Sequence, residues 1–575
     1  MQQPVYDAII VGSGAGGGMT AKVLTDAGLS VAILEAGGDY DPAKDEYRTQ
    51  LRWPWESPRR GAGTPRRAFG DFDAAWGGWE LEGEPYTRAS GTKFDWFRSR
   101  MVGGRTNHWG RISLRFGPKD FKRRDHDGLS DNWPIGYDDV KPYYDRVDKL
   151  IGVFGTNEGL PNDPDGFFLP PPKPRLHELY FMRGAAKAGV PVYPSRLSIL
   201  TRRVNEERGA CYFCAQCNRG CSIYGDFSSS SVLIKPARGS GKAELFTNAM
   251  VRAVLTDTSG KATGVSYISK VDRREYQLRG KVVLLGASAC ESARILLNSA
   301  SPSHPDGIGN QGGHVGRYLH DSTGADRSGI LPSLIDRDRY NEDGVGGMHI
   351  YTPWWLDGKK LDFPRGYHLE YWGGFGMPGY GMGMSLDTMR QYVTDQFGNP
   401  GRNGGYGAGI KRDIRALHGA TLGLSGRGES IPQYTNYCEL DPNVVDQYGI
   451  PVLRFHYQWT DHERRQAKHM HDTFEEILTA AGATLLGRKP GPENEYGLAA
   501  PGRIIHEVGT TRMGDDPNTS VTDRFGRTHD CDNVYVVDAG TFVSQADKNP
   551  TWTILALAWR TADHVVDRFK TGELR

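Results

Sequence analysis

Residues 5–18, VYDAIIVGSGAGGG, followed by VAILE at residues 31–35, decide how the chain begins. The apolar run Tyr6 to Val11 reads as a buried strand. The glycines after it read as a tight turn, the stretch through Ala27 as a helix, and Val31 to Leu34 as a second strand. Gly12, Gly14 and Gly17 stand as G-x-G-x-x-G between strand and helix. The first glycine makes the turn, the second lets backbone approach a pyrophosphate, and the third packs helix on sheet. The helix N-terminus favours the negative charge, and Glu35, ending the second strand, is placed for a ribose 2′-OH. A carboxylate there disfavours a 2′-phosphate, so the pattern predicts a dinucleotide other than NADP. It does not choose between FAD and NAD.

Composition narrows the class. Glycine supplies 75 of 575 residues, well above the usual level of about 7%, which favours turns and close backbone approaches over a helical bundle. Net charge is +1 with no basic stripe, which argues against a nucleic-acid partner. No apolar run reaches the roughly 18 residues of a membrane helix. The first residues enter a strand without a basic stretch or cleavage site, so no export signal is expected in this chain. No repeat of solenoid or propeller period occurs.

Further along, residues 38–95 are rich in Pro, Gly, Arg and Trp (Trp53, Trp55, Trp76, Trp79) and read as a lid or docking insertion. FFLPPPKPRLHE, from Phe167, is a proline-stiffened connector. Residues 245–300 alternate short strands with turns and end in a strand feeding a helix. Residues 345–400 are dense in aromatics and glycine, and the tail from His529 reads strand, turn, helix. A strand–helix start, middle and end predict one sheet assembled from distant segments, with a second domain inserted between them.

Four motifs carry a family resemblance: MVGGRTNHWGRISLRF from Met101, HVGRYLHD from His314, IIHEVGTTRMG from Ile504, and VYVVDAG from Val534 with NPTWTILALAWRTAD from Asn549. In order and spacing they resemble the glucose–methanol–choline (GMC) flavoprotein oxidoreductases over essentially the whole chain; residues 120–200 and 330–500 match loosely. The resemblance implies an α/β FAD-binding (Rossmann-like, GMC type) domain with an inserted α+β substrate domain built on an antiparallel sheet. Segments 1–115, 200–325 and 500–575 are expected to form the first, and 116–199 and 326–499 the second. FAD becomes the implied cofactor. His506 matches the family's catalytic histidine and Asn549 its partner. Asp538 and Ala539 are expected at the flavin's ribityl or pyrophosphate region, and Gly104 and Asn107 at its ring. His108 stands where pyranose oxidases attach flavin covalently; the alternative is simple packing against the ring. A histidine suits proton removal because its free pKa lies near neutrality, and a second polar group steadies the alkoxide.

CYFCAQCNRGC, residues 211–221, holds four of the seven cysteines as C-x2-C-x2-C-x3-C. Structural zinc ligands usually split into two knuckles, and two disulfides would be cramped here. The spacing equals the bacterial ferredoxin run, with Ser222 in place of its proline. Flavoprotein subunits of bacterial FAD-dependent glucose dehydrogenases, which this chain resembles, carry a cluster on C-x5-C-x3-C. Cys211, Cys217 and Cys221 match that pattern, implying a 3Fe-4S cluster; Cys214 is either a fourth ligand of a 4Fe-4S cluster or a bystander. Zinc or inert thiols stay as alternatives. The same relatives imply a small subunit bearing an export signal and a cytochrome c acceptor, and hence a periplasmic or simply cytoplasmic enzyme. The expected reaction is oxidation of a secondary hydroxyl of a sugar or glycoside, with C3 a candidate position, by hydride transfer to flavin N5. The competing readings are an oxygen-using oxidase, a dehydrogenase of a non-sugar alcohol, and an electron-relay subunit. Trp354, Trp355, Tyr367, Tyr371 and Trp372 are read either as a sugar-stacking wall or as core.

Overall fold

The structure, a computed structural model, describes residues 4–44, 77–338, 344–357, 359–375, 408 and 415–574. Trp53, Trp55 and Trp76, most of the expected lid, and residues 376–400 of the aromatic-rich stretch lie outside the described residues.

The opening run forms β1 (Val5–Val11), α1 (Ala15–Asp26) and β2 (Val31–Leu34). The sheet they start is completed by β3 (Ala243–Phe246), β4 (Ala249–Thr256), β5 (Ala262–Ser269), β6 (Glu275–Leu285) and the C-terminal strand Val534–Val536. Strand order is β4-β5-β6-β1-β2-β3. β6 bridges two regimes: its first half pairs antiparallel with β5, and its second half runs parallel to β1 and to Val534–Val536. Parallel strands buried on both faces read as continuous apolar runs, as IIV and VVLL do here. α2 (Ala289–Asn298) follows β6 as the sequence predicts.

A second sheet is antiparallel throughout. Its main strands are β7 (Thr323–Ile330), β8 (Ile350–Thr352), β9 (Tyr367–Gly373) and β10 (Thr421–Gly428), in the order β7-β10-β9-β8 with a short strand at each edge. α3 (Asp461–Ala481) and the helix Leu176–Lys187 cover one face. Tyr367 and Tyr371 point into this core with Leu369, Leu422 and Phe474, so the stacking-wall reading fails for these two tyrosines. Alternation explains it: they share the odd-numbered, helix-facing side of β9. Trp354 packs under the Lys119 ammonium and Trp355 against Tyr367.

A buried ionic network ties the two sheets together. The Lys548 ammonium lies 2.8 Å from Asp120 and 3.0 Å from Asp547, and Arg123 joins Asp120 to Glu429. These side chains are almost wholly removed from water. Lys548→Met would strip buried Asp547 of its ion-pair partner and leave Asp120 only the more distant Arg123 guanidinium. It should cost about 3–5 kcal/mol of stability, read as a lower denaturation midpoint; an unchanged midpoint would mean that the network carries no such weight.

Candidate functional site

At the carboxyl ends of the parallel strands lies a cavity of about 270 Å³, lined by residues from five distant parts of the chain. This is where open α/β sheets bind ligands.

At its first wall, Gly12 turns with φ +91°, and a Cβ there would meet the Gly286 carbonyl at 2.5 Å. Gly17 lies behind the cavity wall, where its own Cβ would strike the Gly12 carbonyl, so it serves helix packing. Gly14, at the start of α1, has nothing within 4 Å of a built Cβ and faces the cavity. An open glycine at a helix N-terminus fits a pyrophosphate, and no acidic side chain occupies the first turn to oppose it. Glu35 borders the same space; its carboxylate accepts from Ser13 Oγ (2.5 Å) and the Gly37 N–H (2.9 Å), and burial pushes its pKa up. Arg98 brings a buried guanidinium to the wall with Nε and one Nη unpartnered among the described residues. These orphaned donors, with the open glycine, fit an anionic dinucleotide.

Packed against the start of α1, Asp538 accepts from the Gly540 N–H (2.8 Å), the Ser288 N–H (3.1 Å) and Ser292 Oγ (2.5 Å), and burial lifts its pKa to about 6. Asp538 and Ala539 line the cavity, as do Gly104 and His108. The His108 ring is edge-on to Phe97, with Nε2 3.2 Å from Ser99 Oγ. Asn107 is not among the lining residues. Its amide donates to Val102 O and Gly104 O and accepts from Ser230 Oγ, so it holds the turn that presents its neighbours.

His506 and Asn549 meet at the cavity, His506 Nε2 lying 3.4 Å from Asn549 Nδ2. With Asn549 Nδ2 as the donor, the matching tautomer has its lone pair on Nε2 and its proton on Nδ1. Nδ1 faces Ser322 Oγ at 3.1 Å, and Gln545 donates to the same oxygen at 2.6 Å. Asn549 Oδ1 is buried and unpartnered among the described residues. Burial, and then the Arg427 guanidinium, push the His506 pKa down to about 3, so the ring is neutral at pH 7. The residue before it, Ile505, has φ 65°. A β-branched side chain in the left-handed region stores roughly 1–3 kcal/mol and is a mark of functional backbone.

Sequence reasoning passed over Asp321, Ser322 and Gln545. Asp321 lay inside a quoted motif, but only the fold reveals that it accepts the His506 N–H at 2.9 Å. Burial and neighbouring Glu507 raise the Asp321 pKa to about 7.

The four clustered thiols sit apart from this constellation but not far. Cys217 belongs to the same apolar cluster as Ile112, which lines the cavity, with Cys211 and Phe213 packed against it. All are free thiols. Burial raises Cys211 to about 12 and Cys221 to about 11. Among the described residues no three His, Cys, Asp or Glu side chains are placed to hold a metal ion, so neither the expected cluster nor a zinc ion has its ligand set shown here. The loop does bend through left-handed residues at Phe213, Ala215 and Tyr224, and backbone N–H groups of Phe213 and Gly225 point at Cys211 and Cys221 sulfur. Such turns make anion-binding concavities.

Comparison with known proteins agrees with this geometry. Two family models, both described as GMC oxidoreductase, match residues 6–323 and 432–558. The chain is 30% identical to 2-methyl-1,2-propanediol dehydrogenase of Mycolicibacterium austroafricanum, over 98% of this chain and 95% of that protein. It is 28% identical to paromamine 6'-oxidase of Streptomyces fradiae (98% and 91% covered) and 25% identical to the fructose dehydrogenase large subunit of Gluconobacter japonicus (98% of each).

The raised Asp321 pKa has a stability consequence. The folded state holds this proton from its ordinary 3.8 up to about 7, so the group's contribution to stability falls as pH rises through that window. Asp321→Asn should flatten the decline of Tm between pH 4 and 7 relative to the parent; parallel Tm profiles would refute the assignment.

Proposed function

Since the chain belongs to the GMC oxidoreductase family, we propose that it oxidises a secondary hydroxyl of a sugar or glycoside and passes the electrons to an external acceptor. The observation that carries the reading is the pairing of a neutral His506 with Asn549 at 3.4 Å, on the edge of a cavity fit for a dinucleotide.

FAD, when bound, supplies the hydride acceptor. The Gly12–Gly14 turn and the α1 N-terminus would hold its pyrophosphate, Glu35 its adenosine ribose, and Asp538 with Ala539 the span towards the ring. The chain's own residues do the rest. His506 Nε2 takes the hydroxyl proton; Ser322 Oγ, fixed by Gln545, keeps the ring's other proton on Nδ1. Asn549 donates to the substrate oxygen as negative charge develops on it, and does so from a buried position where such a bond is strong. Arg427 nearby opposes protonation of the resting ring, which keeps the base ready at acidic pH.

The sugar assignment draws on the fructose dehydrogenase relative and on the polar surroundings of His506; the choice of a dehydrogenase draws on two of the three relatives. The thiol loop supports an external acceptor. Cys211, Cys217 and Cys221, with Cys214 beside them, offer a thiol set in which each sulfur would bind a different iron of a 3Fe-4S or 4Fe-4S cluster. Such a cluster accepts electrons one at a time.

Two measurements test this. Anaerobic mixing with methyl glucoside should bleach the flavin of the parent, while His506→Ala should slow that reduction at least about 10²–10⁴-fold with flavin content retained. Rapid bleaching in His506→Ala would mean that His506 is not the base, and no bleaching of the parent would leave the chain as a relay. Protein purified without oxygen should hold three or four irons and matching sulfide per flavin, lost in Cys217→Ser; iron-free parent protein that still bleaches would remove the cluster and favour an oxidase.

A further inference from the structure

The antiparallel sheet has two chemically opposite faces. Side chains alternate along each strand. Tyr367, Leu369 and Tyr371 of β9 and Leu422 and Leu424 of β10 face the covering helices. The intervening positions are His368, Glu370, Ser425 and Arg427, and across β7 the same face carries Asp326. The register sets them side by side: His368 pairs with Arg427, and Glu370 and Asp326 both pair with Ser425.

This polar face looks towards the reacting histidine. Gly324, paired with Arg427, lies so close to the cavity-lining Ile504 that a Cβ would come within 2.2 Å of its side chain. Arg427, Glu370 and His368 are the charged and titratable neighbours that act most strongly on His506. Along the row burial relaxes steadily: the Glu370 side chain is 3% exposed, Arg427 17% and Asp326 63%.

Glu370 is the informative member. Burial alone would keep it protonated, but Arg427 and His368 hold it ionised down to about 2. Among the described residues it takes one hydrogen bond, from His368 at 3.2 Å, and an ion pair with Arg427 at 3.8 Å. A carboxylate has about four acceptor positions. The open positions leave Glu370 free to accept from a bound ligand. Its charge is already balanced by Arg427, so the missing donors need not be cationic.

We propose that this face is the substrate-recognition wall, with Glu370 accepting from and Arg427 donating to hydroxyls that flank the one oxidised, so that the site selects a neutral polyhydroxylated substrate over a simple alcohol. The inference rests on the alcohol-oxidising role of His506 and names its substrate class. A site built to bond hydroxyls rejects analogues without them, because its own polar groups are then left unpaired. Trp372, two residues beyond Glu370 on the same face, is half-buried and gives the wall an apolar element.

The test uses FAD-loaded full-length protein, anaerobic flavin bleaching, and two probes, methyl α-D-glucopyranoside and 2-propanol. Glu370→Gln should raise the half-saturating glucoside concentration about 10- to 150-fold with a smaller change in limiting rate. The glucoside-over-2-propanol preference in kcat/KM should fall by a similar factor. Arg427→Met, at a part-exposed position, should do the same if Glu370→Gln does not fold. Unchanged half-saturation in a folded variant overturns the wall while leaving the reaction intact. So does a fall in limiting rate shared equally by both probes, which would mean that the pair acts through His506. A parent bleached by 2-propanol and not by the glucoside would overturn the wall and the sugar reading together.

Discussion

Backbone from three remote parts of the chain converges where α1 begins, and it does so at distances that admit no side chain. A Cβ on Gly12 would meet the Gly286 carbonyl, and one on Gly16 would meet the Val537 carbonyl at 1.9 Å. This contact lets the ends of β1, β6 and the strand Val534–Val536 close up beneath one helix terminus. Every wall of the cavity hangs from one of those three strands or from a segment packed on them. Any side chain here would push Asp538, and with it the turn towards Asn549, away from the opening loop.

A second constraint acts on charge. His506 is held by neutral partners at both ring nitrogens: Ser322 behind and Asn549 in front. A carboxylate at Nδ1 would raise the ring's pKa and favour its protonated, unreactive form. The carboxylates close by are directed elsewhere, Glu507 to Arg105 and Glu370 to Arg427 and His368, while Asp321 grips the backbone. The strained Ile505 backbone and the N–H bonds that Asp321 accepts from Ile504 and His506 set the ring's position without adding charge at its edge.

The parts legible in the sequence were those written in local pattern. Residues 5–35 announced strand, turn and helix because period and glycine spacing agree. His506 and Asn549 stood out only because whole motifs could be compared. The rest depended on pairing between strands far apart in the chain. Asn107 sits inside a motif yet turns its amide inwards, since the left-handed Gly103–Gly104 turn consumes its donors. Tyr371 and Trp372 are adjacent letters with similar composition signals, and a sheet sends them to opposite faces. Ser322 and Gln545 carried no local mark at all: one is the residue before a strand, the other part of an irregular turn, and only the fold brings them to 2.6 Å.

The same alternation that hid the wall in the sequence is what makes it useful. An antiparallel sheet can bury one face on helices and leave the other polar, so one set of strands supplies stability and recognition with no residue serving both. Changing Glu370 or Arg427 need not disturb Tyr367, Leu369 or Leu424 behind them. The flavin-side walls lack that freedom, because Gly12, Gly16 and Asp538 are at once packing and contact. On this architecture substrate preference is free to shift by substitution on one sheet face, while the cofactor site and the histidine stay fixed. That division follows from period-two geometry and does not depend on which polyol the wall receives.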